Sequence, residues 1–231
     1  SFHQATSDDS RNPFSNIRTE NLKNDQMRAH LFSKPEPQRY EKVGERKPTI
    51  IEGARGTGKT MVLKSFKNNI RMMLEGHDSL HNCEMNQFGV YIRASQGAFE
   101  TQSKEATNNI PNDIKNIASM TEFILRLVES LIDELQQAKS SGQINKQASD
   151  ERKIVNELII PLQLDSDVET LSDIRRELKK DLVSIQNFVS HRIVNDDISY
   201  EGSFLQKDQL SDVCRIINEY IPCENNTIYF L

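Results

Sequence analysis

Apolar residues recur every three or four positions from about residue 114 onward, whereas the N-terminal part interleaves short β-branched runs with polar loops. Ile114, Ile117, Met120, Ile124, Leu127, Leu131 and Leu135 predict one long helix, broken by Ser140, Ser141 and Gly142. A second helix is expected over residues 145–160 and stopped by Pro161, which lacks an amide hydrogen. Ser166 and Glu169 have the spacing of a capping box. Val168, Leu171, Ile174, Leu178, Leu182, Ile185, Val189 and Ile193 then trace one narrow stripe, suited to packing within the chain or to a short coiled coil. Residues 204–220 predict a further helix.

Nearer the N-terminus, residues 1–12 carry no apolar period and are expected to be a disordered lead-in. Residues 16–32 have helical character, ended by Pro35 and Pro37. The run at 49–51 predicts a buried strand, and Met61, Val62, Phe66, Ile70 and Met73 predict one helix over 59–74. A second strand is expected at 88–94. A third follows the turn signal Asn225-Asn226, at 227–231. The resulting order predicts an α/β fold. Its core is divided between residues 13–100 and a returning strand in 225–231, and a mainly helical insertion occupies 101–224.

Composition narrows the class. At 231 residues, 36% hydrophobic and 27% charged, the chain is a rather polar globular protein, and no apolar run approaches the length of a membrane span. The three cysteines, Cys83, Cys214 and Cys223, are scattered, which suits a reducing cytoplasm better than a disulfide framework. The net charge of −5 conceals an asymmetry. Residues 11–71 hold 14 Lys/Arg against 6 Asp/Glu, and residues 161–231 hold 7 against 13. A basic segment suits an anionic ligand or nucleic acid; opposite charges meeting between segments account for it equally well.

The densest chemistry is Gly53-Ala54-Arg55-Gly56-Thr57-Gly58-Lys59-Thr60, which satisfies G-x-x-x-x-G-K-[ST] between an expected strand and an expected helix. Glycines in such a loop let backbone amides converge on phosphate oxygens. Lys59 is then the ligand of the β and γ phosphates, and the Thr60 hydroxyl a magnesium ligand, so the cofactors expected are ATP and Mg. Arg55 either reaches a phosphate or a neighbouring subunit, or is a surface arginine.

Hydrolysis requires more: a carboxylate at the end of a buried strand to place magnesium, and another to activate water. The hydrophobic run "TIYFL" has the character of that strand, and the acidic pair is expected beyond Leu231. Asp133 and Glu134 imitate the motif, but their place in a helical pattern predicts solvent-facing helix residues. Asp196 and Asp197 follow a helix and fit the role less well. No catalytic residue is therefore assigned.

Four stretches occur in order: "NPFSNIRTENL" (12–22), "LFSKPEPQRYEKV" (31–43), "PTIIEGARGTGKTMVLKSF" (48–66) and "GVYIRASQGAF" (89–99). Together they resemble the bacterial AAA+ ATPases of the origin-recognition-complex-like group, many of which occur in antiviral defence loci. The resemblance covers about residues 12–100 and, more loosely, the final run. It implies a P-loop NTPase αβα core incomplete at its C-terminus, with phosphates held by Gly53, Gly56, Gly58, Lys59 and Thr60, and Asn12–Phe14 near the adenine. It also implies a cytoplasmic nucleotide-driven switch or assembly factor with a protein partner or a homo-oligomeric state.

Two alternatives stand beside that expectation. One is a non-hydrolysing regulatory module recruiting a partner through the helical insertion. The other is a DNA-binding relative of origin-recognition ATPases. His77, His81 and Cys83 have metal-ligand spacing without a fourth ligand nearby, and are better explained as polar loop residues. Arg93, Ser95 and Gln96 follow the second expected strand, where open α/β sheets often place ligand contacts.

Overall fold

The computed structural model describes residues 25–32, 40, 42–43, 45, 49–54, 56–76, 87–92, 111–144, 147–165, 167–192, 200, 203–222 and 227–230. The chain divides into two compact units, the first running to residue 77 and the second from 78 to 230.

Among the described residues, the first unit includes the short helices α1 (Asp25–Leu31), α2 (Lys59–Ser65) and α3 (Asn68–Glu75). Neither α1 nor α2 is long enough to be stable alone in water, so packing and side-chain bonds must hold them. Phe66 and Ile70 are buried, and Tyr40 stacks on the Phe66 ring at 4.6 Å between centroids, with Phe32 on its other neighbour side at 5.8 Å. Residues 49–54 form no strand, and Ile50 is 86% exposed, which corrects the expectation of a buried strand at 49–51. A β-branched run becomes a strand only where a ladder partner receives it, and among the described residues none pairs with this one.

The single helix expected over 59–74 is likewise two. Ser65 Oγ donates back to the Val62 carbonyl at 2.6 Å, and Phe66 and Lys67 make tight bonds to Leu63 and Lys64. Lys67 then adopts extended backbone (φ −56°, ψ 132°), and α3 starts anew. Such back-bonding by a serine competes with the helical ladder, a feature apolar spacing does not report.

Among the described residues, the second unit contains four helices: α4 (Asn112–Ser140), α5 (Ala148–Leu162), α6 (Leu171–Arg192) and α7 (Lys207–Tyr220). α4 packs on α6, α6 on α5, α5 on α7 and α7 on α4, closing a four-helix bundle. Strands β1 (Gln87–Val90) and β2 (Thr227–Phe230) pair in parallel, with Phe88 opposite Ile228 and Val90 opposite Phe230. β1 rests against α4 and β2 against α7, and Phe88 and Val90 are buried.

Most of the α6 stripe is core: Val168, Leu171, Ile174, Leu178, Ile185 and Val189 are buried, each Leu or Ile contributing about 1.5–3 kcal/mol. Across the α4–α6 seam, Arg175 bridges Glu129 (3.2 Å) and Asp133 (2.7 Å). The expectation that Asp133 and Glu134 face outward is corrected at Glu134, which is only 2% exposed, while Asp133 stays half-exposed and bonds Arg175 and Gln137. A 29-residue helix flanked by α6, α7 and β1 buries a face wider than one stripe.

Two boundaries also move. Pro161 lies inside the last turn of α5, which ends at Gln163 in left-handed backbone (φ 54°), with Leu164 N–H bonded to the Ile159 carbonyl. That end bond lets the helix run past the proline. The capping box of α6 is Thr170 and Asp173, whose side chains each take the other's backbone amide at 3.1 Å; Ser166 lies outside the described residues. Glu151 of α5 adds a bond to the Leu171 amide and pairs with Lys139 of α4, joining three helices.

One buried polar contact fixes the approach to α7. The Thr121 hydroxyl accepts from Leu205 N–H at 3.1 Å and faces the Leu205 carbonyl at 3.4 Å, with both residues buried. Thr121→Val preserves shape but strands that amide, at a cost of about 1–3 kcal/mol. Urea denaturation followed by circular dichroism is expected to show the midpoint falling with the slope unchanged.

Candidate functional site

The loop of residues 53–59 is shaped by glycine. Gly53, Gly56 and Gly58 have φ of 156°, 89° and 82°, a region in which L side chains are strained. At Gly53 space is tight as well, because a Cβ there would stand 3.0 Å from Thr57 Oγ1, which would have to give way. Gly58 is the N-cap of α2 and, as glycine, offers no side chain to the amides of that helix's first turn. Thr60 sits in this turn, half-buried, one residue after Lys59.

Lys59 folds its ammonium over the loop. Its Nζ donates to the carbonyls of Gly53 (2.6 Å) and Ala54 (2.7 Å) and faces Thr57 Oγ1 at 3.4 Å. Thr57 in turn donates its hydroxyl to the Ala54 carbonyl at 2.9 Å. Gly53, Ala54, Gly56, Thr57 and Gly58 are all exposed. The structure thus brings Gly53, Ala54, Thr57 and Lys59 together, with Gly56 and Gly58 supplying the bends. Arg55 lies outside the described residues. The donors present, an ammonium, two hydroxyls and first-turn amides, suit an anion with several oxygens, as a phosphate chain has.

A cluster that the sequence pattern did not single out stands behind this loop. Asp25 of α1 accepts from Arg28 (2.6 Å), from Lys67 (2.8 Å) and from Asn69 (3.3 Å). Burial pushes its carboxyl up, but the Lys67 bond and charge, with Arg28 and Asn69, outweigh that and hold it below the usual value. Tyr40 OH and Ser65 Oγ are 3.1 Å apart, and burial raises the Tyr40 phenol. A first-turn acid on α1 with Arg28 three residues on is a sequence signal for Asp25, but Lys67 and Asn69 lie more than 40 residues away and leave no local trace.

Asn12, Pro13, Phe14, His77, His81, Cys83, Arg93, Ser95, Gln96, Asp196 and Asp197 fall outside the described residues. Among the described residues, no group of three His, Cys, Asp or Glu could hold a metal ion. Cys214 is half-buried on α7, and burial pushes its thiol up to about 11, so it stays protonated at neutral pH. Part of the basic segment is neutralised within itself: Arg28 and Lys67 by Asp25, and Arg71 by Glu75 at 3.2 Å.

The Asp25 carboxyl ionises more readily in the folded chain than at its ordinary value of 3.8. Its contribution to stability is therefore present above pH 3.8 and is lost as the pH falls through the lower folded value. Thermal unfolding recorded from about pH 5 to about pH 2 is expected to show a falling midpoint, and Asp25→Asn to flatten that fall.

A family model described as ORC-CDC6-like matches residues 12–231. No curated protein and no solved structure matches the chain.

Proposed function

The chain belongs to the ORC-CDC6-like family, an AAA+-type, ATPase-related group, and from that premise we propose that it is an ATP-binding module whose phosphate site is the loop of residues 53–60. One observation carries the proposal: the Lys59 ammonium held over a glycine-bent, exposed loop whose following helix begins at a glycine N-cap. Gly53, Ala54, Arg55, Gly56, Thr57 and Gly58 form the cradle in this reading. Lys59 exchanges its two loop carbonyls for phosphate oxygens, and the Thr60 hydroxyl holds magnesium. The ion, when bound, neutralises phosphate charge; orientation of the chain is the work of Lys59 and the loop amides.

Parallel pairing of β1 with β2 supports strands on either side of an inserted helical block; an α/β core formed by residues 13–100 and 225–231, with 101–224 inserted, is part of the proposal. Binding rather than hydrolysis is proposed for these residues. Asp133, an internal mimic of the required carboxylate, is committed to Arg175, and Glu134 is buried within the bundle. That favours a nucleotide-dependent switch or assembly factor working with a protein partner or a second copy, and the resemblance to defence-locus ATPases suggests the setting. A nucleic-acid ligand is less favoured, since the described basic residues Arg28, Lys67 and Arg71 serve internal ion pairs. No described helix is long and apolar enough to cross a membrane.

Titration of the chain with magnesium and a fluorescent ATP tests this directly. Lys59→Ala is expected to weaken binding by at least about a hundredfold, the loss of a charge-assisted contact to phosphate. Equal affinity in the two proteins would place the nucleotide elsewhere.

A further inference from the structure

The helix that carries Lys59 and Thr60 is seven residues long, about 10 Å, and it ends at a break. Two turns of helix act as a short rigid lever, so whatever fixes the far end fixes the loop end. The far end is fixed by groups contributed from the N-terminal segment. Tyr40 OH meets Ser65 Oγ at 3.1 Å, and Ser65 in turn bonds the Val62 carbonyl at 2.6 Å. Val62 N–H bonds the carbonyl of Gly58 at 3.0 Å, at the mouth of the loop. On the other side of the break, one carboxylate collects Lys67 and Asn69, while Arg28 holds that same carboxylate from within α1.

We propose that Asp25 is a positioning residue for the phosphate loop: through Lys67 and Asn69 it sets the break between α2 and α3, and so the placement of Lys59 and Thr60. The role rests on the phosphate-site reading above and adds a regulatory consequence. Occupation of the loop and docking of α1 stabilise each other, because coupling between two sites is reciprocal. Anything that pulls α1 away then releases the nucleotide.

The charge of Asp25 suits the task. A neutral amide at this position keeps the shape but not the charge-assisted bonds to Arg28 and Lys67, which are the stronger kind. Asp25→Glu keeps the charge and adds one methylene.

The test uses the full chain, magnesium with a fluorescent ATP, and hydrogen–deuterium exchange without nucleotide. Asp25→Ala and Asp25→Asn are expected to bind about tenfold more weakly than the parent chain, with Asp25→Glu recovering most of the loss. Exchange at 56–67 is expected to quicken in the first two variants while α4–α7 keep parental rates, which separates positioning from general destabilisation. Should Asp25→Ala fail to fold, Tyr40→Phe removes a single hydroxyl from the same break, and is expected to weaken binding about threefold. Unchanged affinity in a folded Asp25→Ala protein overturns the role while leaving the phosphate site standing. Weaker binding without faster exchange in the loop is a long-range charge effect, and overturns it too. A parent chain that binds no nucleotide removes the phosphate site itself, and this role with it.

Discussion

A helix of 29 residues extends about 43 Å and cannot cover its own apolar face. That constraint organises the second unit. Leu125, Val128, Leu131, Ile132, Leu135 and Ala138 of α4 are buried, and α6, α7 and β1 each pack against this one helix. Its polar contacts are selected by the same geometry. Glu122 is 3% exposed yet bonds Arg126 at 2.8 Å, with Gln186 of α6 at 3.4 Å, so a buried charge is compensated where two helices meet. The seam is then closed lower down by Arg175, and the bundle's corner by Glu151. Apolar burial determines which helices meet; the few buried polar groups determine how they are aligned.

The first unit works under the opposite constraint. Helices of seven and eight residues have little propensity energy to draw on, so single side chains decide where they begin and end. Asp25, Tyr40 and Ser65 bridge chain segments that are far apart in sequence, and the Tyr40–Phe66 stack supplies the apolar filling. The loop ahead of α2 adds bonds of its own, from Lys59 to the Gly53 and Ala54 carbonyls and from Thr57 to Ala54.

That contrast explains what the amino-acid order disclosed. The four long helices were visible because burial along them repeats every three to four residues, and α6 shows it most plainly from Leu171 to Val189. β2 was visible as a β-branched and aromatic run, and β1 as the first part of a run expected over 88–94, of which residues 91 and 92 lie outside the strand. Hidden were features that depend on one atom or one distant partner: the break after Ser65, the helix end at Gln163, the cap at Thr170, the absence of a strand at 49–51. The N-terminal half of α4 shows a further limit, since Ile117 and Met120 fit the period yet are 46% and 49% exposed. Periodicity identifies a face; it does not say whether a neighbour reaches every turn of it. The loop of residues 53–60 was legible because glycine and lysine there encode backbone shape and charge locally, whereas Lys67 and Asn69 reach Asp25 only in three dimensions.

The parallel ladder of β1 and β2 has a consequence for how the molecule comes together. Gln87 faces Thr227 across an entire helical bundle, so this pairing has among the largest sequence separations in the chain. Helical hairpins such as α4–α6 form from nearer contacts and reduce the distance the two strands must otherwise search. The bundle therefore stands between the two strands in sequence, and their pairing carries the closure cost of that long separation. During synthesis β1 emerges well before its partner, with Phe88 and Val90 still uncovered and its backbone edge unclaimed. For that interval the strand is a site where a chaperone, or a second nascent chain, competes with β2.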